Sequence, residues 1–330
     1  MATTTPLREL WDTTRMRLLV EIERQGSVSA AAAAIGIGQP SASQHLRLLE
    51  AAAGQRLVER TGRGSRLTEA GQVLAARAAQ ALSSLGAAEE ELGALAGLQT
   101  GTIHLGASTA PGVYLLPDTL GCFRRSFPGV SVEVEVAASD EILKRLLSGR
   151  VQLAVVGAGQ ADERIELAPL LEDEIVGVAK PGVATLKKGA LAPARLSEFM
   201  LLSREQGSSS QRMIDEELRA IGVAPAGVWE LGSSEAIKRA AREGLGLAFL
   251  SRYAVAEEVE RGDLECFRFA GRPPMLRHFS VARLSGRPLS PAERSFIATL
   301  TSCCAKQVDY AEACVGVAPR GARGRRSPQA

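Results

Sequence analysis

The sequence predicts an α/β protein in which a small helical domain, one long helix and two α/β lobes follow one another along 330 residues. Three observations support this prediction. Two short helical segments separated by a glycine-rich turn lie near the N-terminus, and an Ala- and Leu-rich stretch follows them. Beyond residue 101, short apolar runs alternate with helical patterns. A chain with 45% hydrophobic residues can bury a core in each of two or three domains.

The first helical segments predict a helix, a tight turn and a second helix. Ser27 is placed to cap a helix over residues 28–35, and the glycines of 36–38 allow the turn. Pro40 then lies in a first helical turn, where no N–H donor is needed. In the second helix, residues 40–53, apolar side chains recur every three or four positions, so one face stays polar. This polar face consists of Ser41, Ser43, Gln44 and Arg47.

Residues 57–68 predict a β-hairpin, because two short apolar segments flank a glycine-containing tip that carries arginines. Five arginines and two glutamates give residues 40–68 a net charge of +3, whereas the whole chain has +2. Ser and Gln can hydrogen-bond to base edges, and Arg can bind guanine or phosphate. The segment is therefore typical of a DNA-binding surface; an ordinary amphipathic helix pair is the alternative.

Residues 26–71, from GSVSAAAAAIGIGQP to RGSRLTEAG, resemble the winged helix-turn-helix of LysR-type transcriptional regulators. The family usually has Leu-Phe at positions 57–58 and Ser at position 38, where this chain has Leu57-Val58 and Gly38. The resemblance implies double-stranded promoter DNA as a partner, with Arg63 at the wing tip and Arg66 beside it. The major-groove positions that it implies are Gln39, Pro40, Ser43, Gln44 and Arg47.

The long helix carries a seam of apolar residues with alternating four- and three-residue spacing. Its members are Leu74, Ala78, Ala81, Leu85, Ala88, Leu92 and Leu95. A heptad seam over about three heptads favours a two-helix coiled coil and hence a dimer, which would place two recognition helices on a symmetric operator. A single helix packed on its own core is the alternative. The resemblance implies the same dimer, and a dimer of dimers beyond it.

The rest of the chain predicts parallel strands joined by helical crossovers, grouped into two small lobes. The predicted strands are 102–107, 130–136, 151–156, 174–179, 200–203, 228–231, 246–251 and 277–284. The predicted helices are 112–127, 140–148, 208–221, 234–243 and 253–260.

The resemblance divides the chain into four parts. It implies a winged helix-turn-helix domain at 1–67, a linker helix at 68–100 and a periplasmic-binding-protein-like effector domain at 101–303. In that domain, a first lobe of about 101–178 and 272–303 and a second of about 179–271 would meet at hinges at 180–182 and 271–274. The basic segment 304–330 reads as a disordered tail.

Hydroxyl side chains mark three strand-to-helix turns of the predicted lobes. Helix N-termini at such turns offer free N–H groups, which favour a small anion. The candidate effector-binding residues are Ser108, Thr109, Ser139, Ser208, Ser209 and Ser210. Plain helix capping is the alternative for each turn. The third turn resembles an Arg-Glu-x-Gly-Ser-Gly-Thr-Arg stretch of one LysR-type subgroup, but Ser209 and Gln211-Arg212 depart from it, so the arginine that would bind the anion is not assigned.

No pattern predicts an enzyme, a cofactor or a metal site. The chain lacks GxSxG, HExxH and P-loop motifs, and its three histidines and five cysteines show no metal-ligand spacing. We interpret Cys122 and Cys266 as packed thiols and Cys303, Cys304 and Cys314 as incidental or redox-labile, with a redox-sensing pair as the alternative. The N-terminus lacks a signal-peptide pattern and no run is long enough for a membrane span, so a cytoplasmic protein is expected.

These patterns lead to one functional hypothesis: a sequence-specific LysR-type regulator whose promoter contacts respond to a small, anionic effector between two lobes. RNA polymerase is a further expected partner at the promoter. The alternative is an architectural DNA-binding protein whose lobes serve only oligomerisation. A two-lobed solute-binding protein is a rival from another class, but it would have an export signal in place of the first hundred residues.

Overall fold

Within the described residues, three helices and a two-stranded hairpin form the N-terminal domain. The computed structural model describes residues 12–61, 64–95, 101–157, 162–184, 186–187, 189–204 and 209–314. The N-terminal elements are α1 (Thr13–Gln25), α2 (Val28–Ala34), α3 (Gln39–Ala53), β1 (Val58–Thr61) and β2 (Gly64–Leu67). Ser27 caps α2 by accepting the Ala30 N–H at 3.4 Å. The two strands pair antiparallel, so the hairpin predicted for 57–68 is confirmed.

Helix α1 is an element that the sequence patterns above did not predict. Asp12 caps it by accepting the Arg15 N–H at 3.0 Å. Its apolar face then buries Leu18, Leu19 and Ile22 in the same cluster as Ala42 and Leu49 of α3. Helix α1 thus covers the apolar side of α3 and leaves the opposite side of α3 free.

The linker helix α4 (Glu69–Leu95) has 27 residues and is therefore about 40 Å long. Thr68 precedes it, and its Oγ1 accepts the Gly71 N–H at 3.1 Å, which satisfies one of the free donors of the first turn. The helix starts in the N-terminal core, where Ala75 is fully buried.

Helices and strands alternate through the remainder of the chain. In order they are β3 (Gly101–Ser108), α5 (Thr109–Tyr114), α6 (Leu116–Ser126), β4 (Val130–Ala137), α7 (Ser139–Leu147), β5 (Leu153–Val156), β6 (Ile165–Ala179), β7 (Ala190–Leu191), a 3-10 helix (Pro193–Glu198), β8 (Met200–Ser203), α8 (Ser209–Ile221), β9 (Gly227–Glu230), α9 (Ser234–Arg242), β10 (Leu247–Ser251), α10 (Arg252–Glu260), β11 (Glu265–Phe269), β12 (Met275–Leu284) and α11 (Pro291–Cys314). The single helix expected over 112–127 is two helices, α5 and α6, with Pro117 in the first turn of the second.

The main sheet has the strand order β4-β3-β5-β12-β6-β10-β8-β9, with β11 paired to β6. Strands β3, β4 and β5 are parallel to one another, and so are β8, β9 and β10, as the alternation of strands and helices predicts. The prediction of purely parallel sheets is nevertheless wrong. Strand β12 runs antiparallel to both β5 and β6, and β6 runs antiparallel to β10 and β11.

Strands β6 and β12 connect the two lobes. The first lobe contains β3–β5, α5–α7 and α11, and the second contains β7–β11, α8 and α9. The lobe boundary expected after residue 178 is too late, because residues 175–178 pair with β10 and pack in the clusters of the second lobe. The chain crosses within β6 and returns within β12, so paired strands replace the loop hinges expected at 180–182 and 271–274.

The C-terminal helix α11 extends past the tail boundary expected at 304. It continues to Cys314, and Cys304 is buried in the first-lobe cluster beside Phe296 and Leu300. Apolar packing therefore overrides the weak periodicity of this segment. Residues 315–330, which include the basic end of the predicted tail, lie outside the described residues. Over the described ranges, no helix combines the length and hydropathy that crossing a bilayer requires.

Candidate functional site

The exposed face of α3 carries the polar side chains that the sequence analysis selected. Gln39, Pro40, Ser41, Gln44 and Arg47 are exposed, and Ser43 is half-buried. The opposite face is buried in the domain core, as described above. Because the domain core holds the apolar face of α3 in place, the polar face of this helix can enter a groove of DNA.

Glu50 fixes the hairpin to α3. One carboxylate oxygen accepts the N–H groups of Leu57 at 2.9 Å and Val58 at 3.3 Å, and the other accepts Arg56 Nη1 at 3.2 Å. The first strand of the hairpin thus has a defined position relative to the exposed face of α3.

The hairpin carries exposed arginines on both strands. Arg66 on β2 donates from Nε to Glu59 of β1 at 2.9 Å, whereas Arg60 is exposed on β1. Arg63, expected at the tip, lies outside the described residues. The structure therefore brings Arg66 and the α3 side chains into one domain and leaves the position of Arg63 undescribed.

The apolar seam of α4 divides into two parts. Ala78 is buried, and Leu74 packs against the N-terminal core. Leu85 is 49% exposed, Leu92 is 68% exposed, and Ala88 between them is also exposed. Ala81 is half-buried, and the side chain of Leu95 lies outside the described residues. Only the later part of the predicted seam is thus a free apolar stripe.

A cavity of about 230 Å³ lies between the two lobes. Ser108 and Thr109 at the start of α5 and Ser139 at the start of α7 line it from the first lobe, and Ser210 at the start of α8 lines it from the second. Three of the predicted hydroxyl-bearing turns therefore meet at one cavity. Ser208 and the side chain of Ser209 lie outside the described residues.

Some cavity hydroxyls are already engaged. Ser108 Oγ accepts the Gly157 N–H at 3.0 Å, so its own proton stays available to a ligand. Ser203 Oγ donates to Gln211 Oε1 at 2.9 Å, which ties β8 to the first turn of α8. The two hydroxyls thus differ in role: Ser108 can donate to a ligand, and Ser203 positions a helix.

Arg277 of β12 lines the same cavity and was missed by the sequence analysis. Its Nε donates to Asp173 Oδ2 at 2.7 Å and its Nη1 donates to Ser210 Oγ at 2.7 Å. Asp173 also accepts the Ser251 hydroxyl at 2.8 Å. Burial raises the pKa of the Asp173 carboxyl, and the Arg277 guanidinium and the Ser251 hydroxyl act in the opposite direction.

Two side-chain pairs join the lobes around the cavity. Arg212 of α8 lies 3.3 Å from Asp140 of α7, and Tyr114 of α5 donates its hydroxyl to Glu235 of α9 at 2.8 Å. Burial and the bond to Glu235 raise the pKa of Tyr114 well above its usual value, so this hydroxyl stays protonated. Arg212, an arginine of the third turn, is therefore paired across the lobes rather than lining the cavity.

The described residues contain no group of three or more His, Cys, Asp or Glu side chains placed to hold a metal ion.

Two family models match this chain in the order of its domains. Residues 13–72 match the bacterial regulatory helix-turn-helix protein of the lysR family. Residues 96–305 match the LysR substrate binding domain. The chain belongs to the LysR family.

Curated LysR-type relatives align over most of the chain. A probable RuBisCO transcriptional regulator of Nostoc sp. is 32% identical over 258 residues, which cover 76% of this chain and 77% of that protein. The HTH-type transcriptional activator CmpR of Synechocystis sp. is 30% identical over 283 residues, which cover 86% of this chain and 92% of CmpR. These relatives are transcriptional regulators.

Solved LysR-type structures share the fold. A full-length OxyR variant from Pseudomonas aeruginosa superposes with a TM-score of 0.70 at 22% identity, covering 88% of this chain and 94% of that one. The regulatory domain of Synechocystis CcmR in complex with 2-PG superposes with a TM-score of 0.56 at 26% identity, covering 62% of this chain and 97% of that one. The winged helix-turn-helix and two-lobed effector domain expected from the sequence are confirmed.

The protein is a LysR-type, DNA-binding transcriptional regulator with an effector-binding domain. This function is supported over the architectural alternative, in which the lobes would serve only oligomerisation, because the lobes match a substrate-binding domain.

Proposed function

We propose that a small anion binds between the two lobes and that its binding changes the contacts of this regulator with promoter DNA. One observation carries the proposal: hydroxyl-bearing turns from both lobes line a single cavity. A ligand that contacts both lobes stabilises one relative orientation of them, and it shifts the conformational equilibrium by its differential affinity for the two states. The related CcmR regulatory domain, solved with 2-PG, supports a small-molecule effector.

The DNA contacts are assigned by position. We propose that Gln39, Pro40, Ser41, Ser43, Gln44 and Arg47 approach bases and phosphates in the major groove, and that Arg63 and Arg66 contact the backbone from the hairpin. The domain division that accompanies this assignment is a DNA-binding domain at 1–67, a linker helix at 68–100 and effector lobes from 101 onward.

The exposed part of the α4 seam supports a homodimer. Leu85, Ala88 and Leu92 form an apolar stripe that a second copy of α4 would cover. We further propose that two such dimers form a dimer of dimers and that the protein contacts RNA polymerase at the promoter. Both events would take place in the cytoplasm, where promoter DNA would be reached.

A footprint on the DNA upstream of the protein's own gene tests this function. RuBisCO promoters are a second template, because relatives carry that name. Excess competitor DNA removes binding that rests on phosphate contacts alone. The expected result is a two-fold symmetric protected site whose extent changes when 2-PG or another small organic anion is added. Protection that no effector alters, across a broad anion panel, would contradict the effector role while leaving DNA binding intact.

A further inference from the structure

The guanidinium of Arg277 has one hydrogen-bonding edge without a protein partner. Its side chain is 4% exposed and lines the cavity between the lobes. Nε is bound to Asp173 and Nη1 to Ser210, but Nη2 is buried and has no hydrogen-bond partner among the described residues. A buried donor without an acceptor is rare and costly, and it calls for an explanation at the site.

The surroundings of this edge favour a negative group. Arg204 and Arg277 contribute positive charge to the cavity, and none of the described residues that line it is acidic. Asp173 lies behind Arg277, and its two oxygens are occupied by Arg277 and Ser251. The carboxylate therefore holds the guanidinium in place in the wall of the cavity.

Ser210 adds a second donor at the same point. Its Oγ accepts a hydrogen bond from Arg277 Nη1, so its own proton is available to a ligand. A carboxylate or phosphate oxygen that accepts from Ser210 Oγ would therefore lie beside the guanidinium of Arg277. Charge-assisted hydrogen bonds of this kind are among the strongest that proteins form.

The cavity is larger than an inorganic anion needs. Its volume of about 230 Å³ is several times the share of about 30 Å³ that one water molecule takes in the liquid. Phe249 and Leu250, which precede Ser251 on β10, add an apolar wall to the cavity. A ligand with one acidic group and a short organic chain would match this combination of polar and apolar lining residues.

We infer that Arg277 is the anchor for the effector's acidic group, and that the effector is a small organic anion whose body lies against Phe249 and Leu250. This inference rests on the proposed effector function and deepens it. The sequence analysis left open which arginine would bind the anion. Arg212, from the third hydroxyl-bearing turn, is paired with Asp140, so this role is assigned to Arg277 on β12.

Calorimetric titration of the full chain tests the inference. The probes are inorganic phosphate, 2-PG, and short carboxylic acids each paired with its neutral amide. The variant is the double substitution Asp173→Asn/Arg277→Gln, because removing Arg277 alone would leave a buried carboxylate unpaired and threaten the fold. Circular dichroism and the melting temperature establish that the variant is folded.

The expected result has three parts. At least one organic anion binds the wild-type chain more tightly than its amide twin or inorganic phosphate does. The double variant loses at least tenfold in affinity for that anion, the effect of about 1.4 kcal/mol. Arg277→Lys keeps the charge without the planar donor set, so its affinity for the anion should lie between those of the wild type and the double variant.

Arg219→Gln is the matched control, because it removes one exposed arginine from α8 without touching the cavity lining or the side-chain pairs that join the lobes. Its affinity should stay close to that of the wild type. Equal binding by the double variant, or an equal loss with Arg219→Gln alone, would overturn the assignment of Arg277 while the effector function stands. Equal binding of acid and amide, or no binding of any probe at millimolar concentration, would overturn the anionic class, and the footprint would then show separately whether the promoter contacts respond to any ligand.

Discussion

At the scale of single residues, Arg47 is the side chain on which DNA recognition can be tested most directly. It is exposed on the polar face of α3, and its Nε makes one hydrogen bond, of 3.3 Å, to the Ser43 carbonyl of the preceding turn. That bond keeps the side chain along the helix and leaves both terminal nitrogens free of protein partners among the described contacts.

Arg47→Ala should weaken operator binding by about 1–3 kcal/mol, because a bidentate contact to a base would be lost. Arg219→Ala, which removes an exposed arginine from α8, is the control for net charge and should leave affinity unchanged. Filter binding or electrophoretic mobility shift at fixed salt gives both values. If Arg47→Ala binds both specific and nonspecific DNA as tightly as the wild type does, Arg47 does not contribute to the DNA interface.

Some of the candidate site residues could be predicted from the sequence, and others could not. Gln39, Gln44 and Arg47 were recognisable because helical periodicity separates them from their buried neighbours. Arg277 was not, because it lies in a β-strand, 67 positions from Ser210 and 104 from Asp173. The pairing of β6 with β12 places Arg277 opposite Asp173, and no local pattern encodes that pairing.

At the scale of elements, α11 provides a test of where the folded chain ends. Burial, together with the adjacent Cys303 thiol, raises the pKa of Cys304 from 9.0 to about 12. The protonated thiol therefore favours the fold fully below about pH 9, and this contribution is lost as the pH rises toward 12.

Iodoacetamide at neutral pH should leave Cys304 unmodified in the folded protein and modify it after unfolding. Cys122 of α6, which is only half-buried, is the internal control and should react first. Peptide mass spectrometry distinguishes the two sites. Rapid modification of Cys304 in the native protein would mean that α11 ends before residue 304, as the sequence alone suggested.

The exposed stripe of α4 is the second element that can be tested. Leu92→Asp in combination with Leu85→Asp should convert the proposed dimer to monomers, because charges would replace apolar side chains at the proposed helix contact. Glu91→Ala, one position away and exposed, should leave the dimer intact. Sedimentation velocity measures the outcome, and an unchanged dimer in the double variant would place the interface elsewhere.

Elements with local signals were predicted well, and elements defined by distant partners were not. The recognition helix, the hairpin and most crossover helices have caps, turns and periodicity in the sequence. Strand β6 is 15 residues long, but three acidic residues, Glu172 to Glu174, separate its two apolar runs, and only its last six residues were predicted as a strand. Residues 165–175 are stabilised by pairing with β12. Its antiparallel direction arises because the chain crosses from one lobe to the other. The rule that predicts parallel strands applies only within a local βαβ unit and does not cover such a crossing.

At the scale of the whole molecule, the first lobe packs directly on the linker helix. Gly149, at the end of α7, adopts φ of 75°, and an added Cβ would overlap the Cβ of Ala79 on α4. Arg287 donates to Ser83 of α4 at 3.2 Å and to Glu293 at 2.7 Å. The Gly149–Ala79 approach and the Arg287–Ser83 bond connect the effector domain to the helix that carries the DNA-binding domain, and Glu293 holds the Arg287 side chain in place.

Gly149→Ala should destabilise the protein more than Gly182→Ala does. Gly182 has a similar φ of 82° but no atom within 4 Å of an added Cβ, so it reports the backbone cost alone, about 1–2 kcal/mol. The overlap with Ala79 should add about 1–3 kcal/mol at Gly149. Urea unfolding of both variants measures the difference, and equal losses would mean that the lobe and α4 are not packed together in solution.

The two strands that join the lobes have a mechanical consequence. Strands β6 and β12 are paired from Met275↔Ile175 to Leu284↔Ile165, with one irregularity between Phe279 and Ser280. Among the described strands, only residues 276–279 and 171–174 form a two-stranded segment, because β12 also pairs with β5 from Ser280 and β6 also pairs with β10 from Ile175. Two-stranded ribbons twist more than wider sheets, so the lobes are expected to rotate about the long axis of this segment. A ligand that draws the lobes together would then increase the twist of this connection. When the ligand leaves, the twist would relax and the cleft would reopen.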